Sequence, residues 1–135
     1  MGIKYRTLDD LLTESDIVTV HVPWIESTRG LIGKNELAKM KKSAILINTA
    51  RGPIVDEKAL VGALKEGNIA GAAVDVFDPE PFTANSEILK FDNVITTPHV
   101  GAATLDNYSR VFTFCVANIQ RMERNEKPQS VVNGI

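Results

Sequence analysis

Residues 43–67, which read SAILINTARGPIVDEKALVGALKEG, decide the expected fold of the chain. Ser43–Asn48 has consecutive rather than alternating apolar residues, which predicts a strand of a parallel sheet that is covered on both faces. Asp56 suits the N-cap of a helix that runs through Glu66, and Gly67 suits the left-handed position after that helix. A buried strand followed by a helix is typical of an α/β protein.

The same alternation continues on both sides of this segment. Three further strands are predicted, over Asp16–Val20, Ile69–Phe77 and Asn93–Thr96. Three further helices are predicted, over Thr7–Leu12, Lys34–Met40 and Thr104–Glu123. Short strands that alternate with helices indicate βαβ units, so we expect a doubly wound parallel sheet.

Composition narrows the class of protein. The 135 residues suffice for one ordinary domain, and the net charge of −2 gives no reason to expect nucleic acid as a partner. The apolar runs are far too short for a membrane span, and no signal peptide is recognisable at the N-terminus. The single cysteine, Cys115, cannot form an internal disulfide, so a cytoplasmic location is expected. Cys115 and Trp24 are interpreted as packing residues.

Side chains capable of chemistry follow the predicted strands, where open parallel sheets bind their ligands. Arg51 comes shortly after Asn48, Asp75 and Glu80 come at the end of the third strand, and His99 comes after the fourth. Taken singly, His99 is interpreted as a surface or capping residue, Arg51 as a surface cation and Glu80 as a solvated loop acid. Their occurrence together at neighbouring strand ends is more informative than any one of them.

An arginine, a glutamate and a histidine in this arrangement suit the interconversion of a 2-hydroxy acid and a 2-oxo acid. Arg51 would bind a carboxylate, His99 would move a proton, and Glu80 would hold the histidine. The hydride would require a nicotinamide cofactor, which doubly wound sheets commonly carry.

Four stretches carry a resemblance to a known family: residues 16–32, 44–64, 69–81 and 93–104. Together they resemble the NAD-binding domain of the D-isomer-specific 2-hydroxyacid dehydrogenases, and they occur in the same order as in that family. The resemblance implies a Rossmann-type sheet, NAD or NADP as cofactor, and a small 2-hydroxy or 2-oxo acid as substrate. It also implies that Arg51 binds the substrate carboxylate, that Glu80 pairs with the histidine, and that His99 is the general acid/base.

The resemblance further implies a set of cofactor-binding residues at the strand exits. They are Val22, Pro23, Thr49, Ala50, Arg51, Asp75, His99 and Gly101. Asp75 would contact the nicotinamide carboxamide, and most of the others would line the nicotinamide half of the cofactor through their backbone. No metal site is expected.

The chain departs from the family pattern in its first part. It has no G-x-G-x-x-G motif, and no acidic residue ends a strand before Tyr5. Both features belong to the first two strands of the family's domain. We therefore expect residues 1–124 to be the C-terminal portion of a dinucleotide-binding domain without those two strands. Residues 125–135 would be a tail that returns towards an absent substrate domain.

This expectation has consequences for assembly and function. In the strand order 3-2-1-4-5-6, the strand at Ile17–Val20 would be third and that at Ala44–Asn48 fourth, so the two would not touch. The apolar edge of the latter would then be exposed. Either the segment Met1–Trp24 moves to close the gap, or a second copy pairs across it, or the chain is part of a larger assembly. Of these, a homodimer or swapped pairing is favoured. Two alternatives to an enzyme remain: a dinucleotide-sensing, co-repressor-like binding module, and a catalytically inactive fragment.

Overall fold

The computed structural model describes residues 2–132, which form two compact units. The first unit ends at Val100 and contains a four-stranded parallel sheet with three α-helices. The second begins at Gly101, and its described part contains one long helix. The predicted division after residue 124 stays a prediction.

Strands and helices alternate along the chain, as predicted. The strands are β1 Ile17–Val20, β2 Ile45–Asn48, β3 Gly71–Val74 and β4 Val94–Thr96. The α-helices are α1 Leu8–Glu14, α2 Lys34–Lys39, α3 Glu57–Lys65 and α4 Leu105–Glu123. Short 3₁₀ turns lie at Glu26–Thr28, Gly52–Ile54 and Glu87–Lys90. β3 occupies only the middle of its predicted segment.

The helix boundaries follow from the capping residues. Thr7, Asp56 and Thr104 each accept a hydrogen bond from the backbone N–H three residues further on, at 3.1–3.2 Å. Such a bond satisfies one of the free donors at a helix start. After α3, Gly67 has a φ of +65°, the left-handed conformation predicted for it.

The strand order is β1-β2-β3-β4, and every pairing is parallel. Ile17 lies opposite Ile45 and Val20 lies opposite Asn48, so β1 and β2 are direct neighbours. The prediction that these two strands do not touch was wrong. In the order 3-2-1-4-5-6 the third and fourth strands are not neighbours, so the assignment of β1 and β2 to these two positions was wrong too.

The hydrophobic core lies on one face of the sheet. Val18, Leu46 and Ala72 are adjacent in register on β1, β2 and β3, and all three are buried. They belong to one cluster with Leu37 of α2 and Leu60 of α3. The helices of the first unit therefore cover the same face of the sheet.

On the opposite face of the sheet, several strand side chains of the first unit are exposed. Ile17 is 59% exposed, Ile45 is 40% exposed and Ile95 is 70% exposed. The prediction that β2 is covered on both faces was therefore wrong for this part of the chain. The consecutive apolar residues of β2 mark a strand with two apolar faces, but only one of them meets the core.

Two single residues also differ from their predicted environment. Cys115 is exposed on α4, a helix that has no buried residue, and Trp24 is 50% exposed. The interpretation of both as packing residues was wrong, because both side chains are exposed. Within residues 2–132, no helix has the length and apolar character needed to cross a membrane.

Candidate active site

The loop after β2 is shaped by the buried side chain of Asn48. Its amide nitrogen donates to the carbonyl of Arg51 at 3.0 Å, and its amide oxygen accepts the N–H of Ala50 at 3.1 Å. These bonds close the turn that carries Arg51 at the carboxyl edge of the sheet. The guanidinium uses one of its five donors on the Ala50 carbonyl, at 2.6 Å. Asn48 was not predicted as a site residue, although a polar residue that ends an apolar strand needs partners.

Gly52 brings this turn directly against the loop after β3. It is buried, and a Cβ at this position would collide with the backbone carbonyl of Phe77. The two loops therefore approach as closely as they do only because residue 52 has no side chain. This contact sets the distance between the Arg51 turn and the backbone that carries Glu80.

We expect Gly52→Ala to lower the free energy of unfolding by about 1–3 kcal/mol, since rigid backbone would have to move. Gly62→Ala on α3 is the matched control, because open space surrounds its Cβ position and alanine favours a helix. Urea denaturation of both variants measures the difference. If Gly52→Ala were as stable as Gly62→Ala, the close approach would have no energetic importance.

Glu80 and His99 form a pair between the loops that follow β3 and β4. Nδ1 of His99 lies 2.8 Å from Oε2 of Glu80, and Oε1 of Glu80 accepts the N–H of Phe77 at 2.8 Å. The carboxylate is thus anchored on one side and holds the imidazole on the other. The hydrogen bonds from His99 and Phe77, with the positive charge of Arg51, hold the pKa of Glu80 below its ordinary value.

The lowered pKa of Glu80 predicts a pH-dependent stability. A carboxylate whose pKa is lower in the folded protein stabilises it above the unfolded pKa, and this contribution is lost as pH falls through the folded value. We therefore expect Glu80→Gln to be less stable than the wild type at neutral pH and the difference to shrink below the ordinary value of 4.5. Urea denaturation near neutral pH and under acid conditions measures it, and an equal difference under both would contradict the assignment.

His99 lies in a strained turn that Asp75 holds in place. The φ of His99 is +54°, a left-handed conformation that costs a residue with a Cβ about 1–2 kcal/mol. The buried carboxylate of Asp75 accepts the hydroxyl of Thr97 and the N–H of Val100, the latter at 2.9 Å. These two residues flank His99 in the chain, so Asp75 fixes the turn that presents the imidazole. Strain held in this way clusters at functional sites.

A groove of about 540 Å³ runs along the carboxyl ends of β1 and β2. It is lined by residues from both strand exits: His21, Val22, Pro23, Trp24, Thr49, Ala50 and Arg51. Its place in the sheet and its volume are those of a nucleotide cofactor site, so the residues present fit part of a dinucleotide. Five of the eight predicted cofactor residues line the groove. Asp75 and His99 follow the neighbouring strands, and Gly101 belongs to the second unit.

A separate, largely apolar cavity of about 310 Å³ borders the Glu80–His99 pair. Phe77 and Phe82 form part of its wall, with ring centroids 4.4 Å apart. The pair itself is partly exposed to solvent: 46% of the His99 side chain and 36% of the Glu80 side chain are accessible.

Comparison with known proteins decides the family. The family model of the D-isomer specific 2-hydroxyacid dehydrogenase, NAD binding domain, matches residues 1–101. The chain belongs to this family. As a 2-hydroxyacid dehydrogenase domain it has the α/β, Rossmann-type fold that was predicted, although with a different position of β1 in the strand order.

Similar proteins with a recorded activity cover most of this chain. A glyoxylate reductase of Thermofilum pendens is 49% identical over 132 residues, which are 98% of this chain and 39% of that protein. A D-3-phosphoglycerate dehydrogenase of Archaeoglobus fulgidus is 44% identical over 133 residues, 98% of this chain and 25% of that protein. The chain thus spans at most about two fifths of the length of these relatives.

A solved structure of the family has the same fold. The D-isomer specific 2-hydroxyacid dehydrogenase from Lactobacillus delbrueckii ssp. bulgaricus, in its NAD-complexed form, superposes with a TM-score of 0.88 and is 37% identical. The match covers 96% of this chain and 43% of that chain.

Proposed function

We propose that the protein interconverts a 2-oxo acid and a 2-hydroxy acid, with NAD or NADP as the hydride carrier. The observation that carries this proposal is the Glu80–His99 pair, 2.8 Å apart, with the charge of Arg51 acting on the same carboxylate. A held proton donor beside a carboxylate-binding cation is what reduction of a 2-oxo acid requires. The glyoxylate reductase and phosphoglycerate dehydrogenase relatives support a small substrate of this class.

Each member of the proposed centre has a separate task. Arg51 binds the substrate carboxylate through its planar guanidinium and so orients the neighbouring carbonyl. Nδ1 of His99 faces Glu80, so Nε2 is the ring nitrogen that donates a proton to the carbonyl oxygen. In the reverse direction, Nε2 takes the proton of the hydroxyl group. Glu80 fixes the orientation of the ring through its contact with Nδ1.

The cofactor would be held along the same edge of the sheet. Val22, Pro23, Thr49 and Ala50 would line its nicotinamide half, and Asp75 would meet the carboxamide. When bound, the cofactor supplies or accepts the hydride. The chain's own contribution is to bind and orient it beside Arg51 and His99.

Location and assembly are part of the proposal. A cytoplasmic location is supported by the presence of only one cysteine, and a small acid is the expected partner rather than nucleic acid or a membrane. A homodimer is also proposed. β2, whose edge was predicted to be exposed, is paired on both sides. The proposal is instead supported by β1, whose outer edge has no partner strand in the described residues. Light scattering measures the oligomeric state.

Turnover tests the proposal directly. Oxidation of NADH and of NADPH is followed with glyoxylate, hydroxypyruvate and 3-phosphohydroxypyruvate in turn. We expect catalytic turnover of at least one of them by the protein. Dinucleotide binding without turnover of any 2-oxo acid would favour the dinucleotide-sensing module instead, and absence of both would indicate an inactive fragment.

A further inference from the structure

Residues 97–100, which carry the proposed proton donor, form a tight loop at the end of β4. The N–H of Thr97 donates to the carbonyl of Val74 at 3.0 Å, so the start of the loop is fixed to β3. The N–H of His99 donates to the carbonyl of Thr97 at 3.0 Å and closes a three-residue turn around Pro98. The proline ring fixes φ close to the value that such a turn requires.

One carboxylate oxygen holds the two ends of this loop together. Oδ1 of the buried Asp75 accepts both the hydroxyl of Thr97 and the N–H of Val100, the latter at 2.9 Å. Asp75 is itself fixed to the neighbouring strand, because its N–H donates to the carbonyl of Asn48 at 3.0 Å. The two ends of the loop are therefore held at one fixed point of the sheet.

Thr97 makes three of these bonds, but only one of them depends on its side chain. Most residues could supply its N–H and its carbonyl, whereas the bond to Asp75 requires a short side chain with an O–H group, as in threonine or serine. A hydrogen bond to a charged acceptor is also stronger than one between neutral groups. A strained residue such as His99, with its φ of +54°, keeps its conformation only where the surroundings hold it.

We propose that Thr97 is a positioning residue for the proton transfer. Its hydroxyl acts through Asp75 and keeps the imidazole of His99 in the orientation in which Nδ1 meets Glu80. That contact, 2.8 Å long, joins two different loops, so it is lost when the loop after β4 shifts by about 1 Å. The inference rests on the proposed function for the part that His99 has in the reaction.

Thr97→Val tests the inference, because valine keeps the shape of the side chain and removes the hydroxyl. We expect it to lower kcat for 2-oxo acid reduction about 10- to 100-fold, since a misplacement of about 1 Å can cost about 100-fold in rate. KM for the 2-oxo acid should change little, because Arg51 lies on the loop after β2. Thr97→Ser, which restores the hydroxyl, should recover most of the lost kcat. Steady-state oxidation of NADH at saturating 2-oxo acid measures each variant.

Thr96→Val is the matched control. Thr96 directly precedes Thr97, and among the described residues its hydroxyl is not one of the donors to Oδ1 of Asp75. This variant should have the kcat of the wild type. Should Thr97→Val fail to fold, Thr97→Ala, which also lacks the hydroxyl, takes its place in every comparison.

A double-mutant cycle with His99→Ala separates positioning from a general loosening of the fold. If Thr97 acts through the imidazole, Thr97→Val has no further effect on kcat once the imidazole is absent. The inference is overturned if Thr97→Val has the kcat of the wild type, or if Thr97→Ser is no better than Thr97→Val. It is also overturned if Thr97→Val lowers kcat by the same factor in the His99→Ala background.

NMR of the imidazole rings gives a result that does not depend on turnover. The chain has two histidines, and the signal that is absent from His99→Ala belongs to His99. We expect Thr97→Val to shift this signal and to leave that of His21 unchanged. A shift in a protein that turns over no 2-oxo acid would refute the proposed function and leave the positioning contact in place. An unshifted signal in a protein that does turn over 2-oxo acids would refute the inference alone, and without turnover it would refute both.

Discussion

Replacement of His99 by alanine is expected to lower kcat for 2-oxo acid reduction by roughly 10²- to 10⁴-fold, the usual size of a general acid/base contribution. Glu80 engages Nδ1 of the ring at 2.8 Å, which leaves Nε2 to exchange the proton with the substrate. Alanine removes both nitrogens without adding bulk. Steady-state oxidation of NADH at saturating 2-oxo acid measures the loss.

The stability of the fold and the affinity for NADH are the control measurements for this variant. Alanine retains a Cβ at the left-handed position of His99, so the backbone strain is unchanged. We therefore expect kcat to change far more than the dissociation constant for NADH, because His99 is only one of the eight residues predicted to contact the cofactor. A kcat within tenfold of the wild type would remove His99 from the proton transfer.

Replacement of Arg51 by lysine is expected to lower kcat/KM for 2-oxo acids about 10- to 100-fold, through both a higher KM and a lower kcat. Hydrogen bonds to a charged group contribute about 1.5–3 kcal/mol, and an ammonium group cannot reproduce the two parallel bonds of a guanidinium to a carboxylate. The measurement is a full saturation curve for the acid at fixed NADH.

The effect of this substitution on dinucleotide affinity distinguishes two roles of Arg51. If it binds the substrate carboxylate, Arg51→Lys leaves dinucleotide affinity nearly unchanged. An equal loss of dinucleotide affinity would make cofactor binding, rather than binding of the substrate carboxylate, the main role of Arg51. Arg110→Lys, an exposed position on α4, is the matched control for the arginine-to-lysine change and should behave like the wild type in both assays.

The strands and helix starts could be predicted because their signals are local. The apolar run before Asn48 and the capping side chains of Thr7 and Asp56 act on their own segments, and the structure has a strand and two helix starts there. Parallel sheets place their ligand sites at strand exits. For that reason, the sequence alone predicts Arg51, Glu80 and His99 as site residues.

The partner of each strand could not be predicted in the same way. The sequence of β1 says that it is a strand but not which strand it pairs with, and the order assumed for it separated β1 from β2, which in fact pair along their whole length. The burial of β2 is a similar case. Its apolar pattern does not distinguish a face covered by helices from one left open, such as the face of Ile45.

The details that shape the site were missed because they depend on contacts between loops. The left-handed turn at His99 is held by the hydrogen bonds that Thr97 and Val100 donate to the carboxylate of Asp75, on another strand exit. This arrangement has no signature in the spacing of residue types.

A double-mutant cycle tests most directly whether Glu80 and His99 act as one proton-transferring unit. kcat for 2-oxo acid reduction is measured for the wild type, Glu80→Gln, His99→Ala and the double variant. If Glu80 acts by holding the imidazole, Glu80→Gln lowers kcat when His99 is present and has no further effect when it is absent. Loss of the same factor from kcat in both backgrounds would contradict this, because Glu80 would then act independently of His99.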